Sequence, residues 1–160
     1  MMTTAAAAQQ PMRFPEVEGR NLEGREFSLP KDFGGAPTVV IVAFKRQQQG
    51  DAESWGPALK REAIARPALR VYELPVLAKH DRMLRWMIDG GMKRGIKDKR
   101  VRETTVTLYL DKKPFDEALG IVSEEMVHVF VLEADGRVRW HGTGAHSAEG
   151  EAALVRALGA

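Results

Sequence analysis

The side chains of this 160-residue chain that could do chemistry are four histidines, His80, His128, His141 and His146, a glutamine-rich stretch at residues 47–51, and Ser54. A metal site needs three or four converging ligands, and no local run gives a familiar ligand spacing, so neither metal nor cofactor is expected. His141 and His146 flank Gly142-Thr143-Gly144 and could meet, but read rather as a solvent-facing loop pair, while His128 alternates within a strand pattern as a satisfied or edge histidine does. Ser54 lies near a helix start without the G-x-S-x-G turn that would expose a serine nucleophile. Gly142-Thr143-Gly144 is too short for a phosphate-binding fingerprint and reads as a turn. The chain has no cysteine. Thiolate attack on a disulfide or a peroxide is therefore excluded, because no other side chain supplies that nucleophile.

The elements that must position these residues are legible as alternating strand and helix patterns. Residues 17–21 and 25–29 flank Glu23-Gly24 and read as a hairpin. The β-branched run at residues 38–44 is apolar on both faces, as a strand buried within a parallel sheet is. After the loop at residues 45–50, Asp51 or Ser54 is expected to start a helix carrying Trp55, Leu59, Ala63 and Ile64, stopped by Pro67. A second core strand follows at residues 69–77, with Pro75 expected at its end.

Residues 81–96 read as an amphipathic helix with Met83, Leu84, Met87 and Ile88 inward. Residues 104–110 form the third core strand. Asp111 caps a short helix with Pro114 in its first turn and Gly120 past its end. The chain closes with strands at residues 127–132 and 137–140 around the Asp135-Gly136 turn, then a helix capped by Ser147.

Composition bounds the rest. With 44% hydrophobic and 29% charged residues, one ordinary globular core is expected, as a single domain over residues 14–160 after a loose tail at 1–13. The start carries no basic, strongly apolar leader pattern and the apolar runs are too short to span a bilayer, so the expectation is a cytoplasmic protein without a transmembrane segment. The net charge of +2 conceals a basic stretch: residues 79–102 hold nine basic side chains against three acidic ones. Lys93, Arg94, Lys97 and Arg100 are its candidates for binding an anionic surface, against the plainer reading of a solvated helix face.

The element order resembles the thioredoxin-like superfamily, in the layout of its alkyl hydroperoxide reductase and thiol-specific antioxidant group. VEGRNLEGREFSLPKDFGGAPTVVIVAF is similar to that group's opening hairpin and first core strand, and VHVFVLEADGRVRWHGTG to its late hairpin. The resemblance implies an α/β fold of three layers: a central mixed β-sheet, an N-terminal β-hairpin and flanking helices. It also implies redox cysteines after the first core strand, where Gln47, Gln48, Gln49 and Asp51 stand, and a cis-proline before the late hairpin, where Val127 stands. Both parts of that active site are missing.

Among cysteine-poor relatives, Trp86-Met87-Ile88 with its basic continuation and the ending GRVRWHGTGAHSAEGEAALVRAL resemble the thioredoxin-like assembly factors of mitochondrial ATP synthase and bacterial proteins like them. That resemblance implies a binding protein that works with another protein, not an enzyme. The resulting expectation is a non-redox scaffold with no catalytic residues, whose partner loop is Gln47, Gln48, Gln49, Asp51 and Val127, with Trp140 as a partly exposed anchor. Two alternatives stand beside it: an enzyme with non-thiol chemistry at the same strand end, or a binder of an anionic surface through residues 79–102.

Overall fold

The computed structural model describes residues 12–78 and 95–159. Seven strands form one sheet in the order β2-β1-β5-β4-β3-β6-β7. They are β1 (Val17–Asn21), β2 (Glu26–Leu29), β3 (Thr38–Ala43), β4 (Arg70–Leu77), β5 (Val106–Tyr109), β6 (His128–Leu132) and β7 (Val138–Thr143). β3, β4 and β5 run parallel, while β1 joins β5, β6 joins β3 and β7 joins β6 antiparallel. Among the described residues the helices are α1 (Gln49–Glu53), α2 (Gly56–Ala65), α3 (Lys99–Glu103), α4 (Lys112–Leu119) and α5 (Ala148–Gly159).

The two-faced apolar run in β3 divides the core as its period of two requires. Val40, Val42 and Phe44 join one cluster with Phe115 and Leu119 of α4 and with Phe14, Phe27 and Phe33. Val39, Ile41 and Ala43 join a second with Trp55, Leu59 of α2, and Leu154 and Leu158 of α5. The sheet is therefore the middle of three layers, as expected.

Local signals placed most turns. Asn21 is buried and its Oδ1 accepts from the amides of Glu23 and Arg25, fixing the first hairpin, whose Gly24 has φ 88°. Asp111 accepts from the Lys113 amide, and Gly120 ends α4 at φ 67°. Ser147 Oγ accepts from the Gly150 amide at 3.0 Å and caps α5.

Three expectations are corrected. The single helix starting at Asp51 or Ser54 is two: α1 ends at Glu53 and α2 begins at Gly56 with Pro57 in its first turn. Proline has no N–H to extend the earlier helix, so the axis restarts there. Pro75 does not end β4, which continues to Leu77; it pairs with Ala43, where β3 itself stops, and Val76 and Leu77 pair onward with β5. The strand expected at residues 104–110 is shortened to β5, because Thr104 closes the end of α3, whose start Asp98 caps, and Thr105 makes only an isolated bridge to Glu73. The helix expected at residues 81–96 lies almost wholly outside the described residues. No helix among those described is long and apolar enough to cross a membrane.

Candidate functional site at the strand ends

The C-terminal end of β3 meets the N-terminal end of β6, with Val42 opposite His128. Parallel topology brings the start of α4 to the same end, because α4 follows β5. Between α4 and β6 the chain passes through residues 121–127. Lys45, Gln48, Lys112 and His128 all bond to that segment.

Gln48 is the centre of the arrangement. Its side chain is turned inward and only 6% exposed. Gln48 Oε1 accepts from the Phe44 amide at 2.8 Å, and Gln48 Nε2 donates to the Glu124 carbonyl at 2.8 Å. The glutamine thus bridges the end of β3 to the segment before β6. Gln47 and Asp51 are exposed, Gln49 is half-buried, and Val127 is fully buried. Of the expected partner loop, then, only Gln47 and Asp51 fully face solvent. Val127 accepts from the Gly144 amide through its carbonyl at 2.9 Å. Among the described residues the cis peptide bonds are Leu29-Pro30 and Ala36-Pro37, so the bond entering Val127 is trans, as its non-proline identity requires.

A carboxyl pair lies beside Gln48. Lys112 Nζ donates to Glu124 Oε1 at 2.8 Å, and Lys45 pairs with Glu125. Asp116 lies one turn after Lys112 on α4, beside the Glu124 carboxyl that Lys112 holds, and its Oδ1 is buried with no protein N–H or O–H donating to it. Two ionised carboxylates side by side would offer only acceptors, and a proton on one of them supplies the missing donor. Burial, then Glu124 itself, pushes the Asp116 carboxyl up to about 7. Burial would also raise Glu124, but the hydrogen bonds from Asp116 and Lys112 outweigh it and hold Glu124 below its ordinary range.

The histidines behave differently from the expectation for a loop pair. His128 is buried, with Nε2 2.6 Å from the Ser123 carbonyl and Nδ1 2.9 Å from His141 Nε2. A carbonyl can only accept, so His128 Nε2 carries the hydrogen and Nδ1 takes the one on His141. His141 also stacks on Phe130, at 4.3 Å between ring centroids. Burial holds the His128 imidazole below its ordinary range; for His141 burial and then His128 do the same. His146 instead bonds Glu151 at 2.6 Å. Gly142 and Thr143 are strand residues of β7, paired with Val129 and His128, and do not form the expected turn. β6 is an interior strand, so His128 is a satisfied core histidine.

Ser54 is accounted for by structure: its Oγ donates to the Asp51 carbonyl and accepts from the His146 amide. Trp140 is half-buried, 6.4 Å from the Trp55 ring and packed against the second core cluster. Lys97 and Arg100 are exposed at and just before α3; Lys93 and Arg94 lie outside the described residues. No three metal-ligating side chains gather among the described residues. The sequence reading missed Lys45, Lys112, Asp116, Glu124 and Glu125. The four-residue spacing of Lys112 and Asp116 on one face of α4 was the one local sign of them.

The chain matches no protein-family model and no curated protein sequence. It is similar in structure to a thiol:disulfide interchange protein from Bacteroides sp., at 17% identity and TM-score 0.60 over 95% of this chain and 91% of that one. The exposed lipoprotein thioredoxin of Streptococcus pneumoniae aligns with TM-score 0.58 and 14% identity, over 91% of this chain and 98% of that one. The thioredoxin domain of a thiol-disulfide oxidoreductase from Bacteroides vulgatus gives 0.55 and 17%, over 93% and 97%. Likeness at such identities speaks for architecture alone, and with the sheet order and three layers above it establishes that this cysteine-free chain has a thioredoxin-like fold.

Proposed function

We propose that this protein is a non-redox thioredoxin-fold module that binds another protein through the strand end built around Gln48. The observation that carries the reading is the use made of Gln48. At the place where the resemblance puts redox cysteines stands a side chain whose two polar atoms are both spent on the main chain. The end is closed and braced, with Lys45 and Lys112 satisfied by neighbouring glutamates and no nucleophile presented. What it offers outward is recognition chemistry: exposed Gln47, and Val122, 96% exposed and two residues before Glu124. The resemblance to thioredoxin-like assembly factors supports a role of the same kind, with a protein in course of assembly as the partner.

The test has two arms. Purified protein should neither speed insulin reduction by dithiothreitol nor consume peroxide with a thioredoxin system, beyond protein-free controls. A photo-crosslinking residue at Gln47 should trap a discrete partner in the native host, while the same residue at Glu149 on α5 should not. Turnover in the first arm sinks the non-redox reading, and equal crosslinking from both positions sinks the binding face.

A further inference from the structure

We propose that Asp116 and Glu124 hold one proton between them, and that this proton latches residues 121–127, and through Gln48 residues 45–49, into the closed strand end. The latch regulates the face assigned above to partner binding, and on that point it rests on that reading.

The geometry favours a proton. The Lys112 bond holds the Glu124 carboxyl over the turn of α4 that carries Asp116, one Asp116 oxygen is buried there without a donor, and acceptors alone repel. The charges facing the pair come from each element packed on it. Lys112 on α4 bonds Glu124, Lys45 at the end of β3 acts on Glu124 from further off, and His128 on β6 faces Glu124 as a neutral ring bonded to Ser123 and His141. Glu125, on the same segment, is taken up by Lys45. One Lys112 cation in direct contact matches one anion. It does not match two.

The sign follows from the two shifts. Glu124 lies below its ordinary range and Asp116 at about 7, so between these values the pair is one carboxylate and one acid, the state that Lys112 and the shared proton satisfy. As pH rises through about 7 the proton leaves, and a second charge appears on a group with a buried, donorless oxygen. The strain falls on Glu124, whose main-chain carbonyl is the one Gln48 holds. Loosening residues 121–127 therefore takes away the Gln48 anchor that closes residues 45–49.

Backbone hydrogen exchange on the whole protein tests this directly, in peptides covering residues 45–49 and 121–127, at about pH 6 and pH 8.5 with the intrinsic exchange rate divided out. Protection of both segments should fall about fivefold or more in the parent. It should stay level in Asp116→Asn, whose amide donates permanently. Carboxyl-carbon resonances of the parent should show Asp116 titrating near 7. An equal loss of protection in Asp116→Asn, or an Asp116 that titrates in the ordinary carboxylate range, overturns the proposal; if the variant fails to fold, the resonance titration alone decides. The latch is read without any partner, so crosslinking from Gln47 in the absence of this titration sinks the latch alone. Titration without selective crosslinking sinks the binding reading and leaves a proton-linked loop.

Discussion

Gln48 donates its side-chain amide to the main-chain carbonyl of Glu124 at 2.8 Å, across 76 residues of sequence. That bond, with the one Gln48 accepts from the Phe44 amide, makes a buried glutamine the joint between the end of β3 and the approach to β6. Replacing it by methionine keeps the volume but leaves the buried Phe44 N–H and the partly buried Glu124 C=O unpaired. Each orphaned group costs about 1–3 kcal/mol, so Gln48→Met should lose on the order of 2–4 kcal/mol in urea unfolding. A loss below about 0.5 kcal/mol would show that the bridge carries no weight.

The histidine pair should make stability fall on acidification. Burial holds His128 and His141 below the ordinary imidazole range, so the unfolded chain takes up protons first as pH drops. Stability is then complete above the ordinary imidazole range and declines as pH falls through it. Glu73 and Asp116, both raised to about 7, pull the other way over this window, so the contribution is read as a difference: from about pH 7 to pH 5 the parent's urea midpoint should fall relative to that of the double variant His128→Phe with His141→Phe. A parallel decline in that variant would assign the slope to other groups.

The first hairpin, the caps of α4 and α5 and the two-faced β3 were all legible in the sequence, because each depends on residues within a few positions of one another. Asn21, Gly24, Asp111, Gly120 and Ser147 act on their own neighbours. The polar cluster was not legible for the opposite reason. His141 meets His128 only because β6 and β7 pair with Phe130 opposite His141. Asp116 meets Glu124 only because the chain doubles back over α4. Lys112 and Asp116 announced a helix face, but nothing nearby said which acid would lie against it.

Glu73 offers the opposite pH sign from the histidines. It lies on β4, against a groove of ≈ 320 Å³ lined by Ile41, Leu59, Ala63, Val71 and Val101. Burial, and then Glu53, pushes its carboxyl up to about 7. A carboxyl raised in the folded state favours folding at low pH, and that advantage is lost as pH rises from the ordinary carboxylate range to about 7. Glu73→Gln should therefore match the parent near pH 4.5 and exceed it in thermal midpoint near pH 8. A variant no more stable than the parent at the higher pH would contradict the assignment. Asp116 titrates in the same window, and comparing Glu73→Gln with Asp116→Asn separates the two.

The last prediction concerns the basic stretch, where Lys97 and Arg100 stand exposed while Arg102 is taken up by Glu23 and by the carbonyls of Ile96 and Lys97. Arg102 is thus a structural tie, and its neighbours are the candidates for contact with an anionic surface. Exposed charges act over about 8 Å at physiological ionic strength, so any such binding should weaken steeply with added salt. Reversing Lys97 and Arg100 to glutamate shifts the local charge by four, and among the described residues neither side chain makes a hydrogen bond or ion pair. The variant should elute earlier from heparin and leave vesicles rich in phosphatidylserine at low salt, with an unchanged unfolding midpoint. If parent and variant are retained alike, the stretch is a solvated face, and the strand end built on Gln48 is left as the surface for binding.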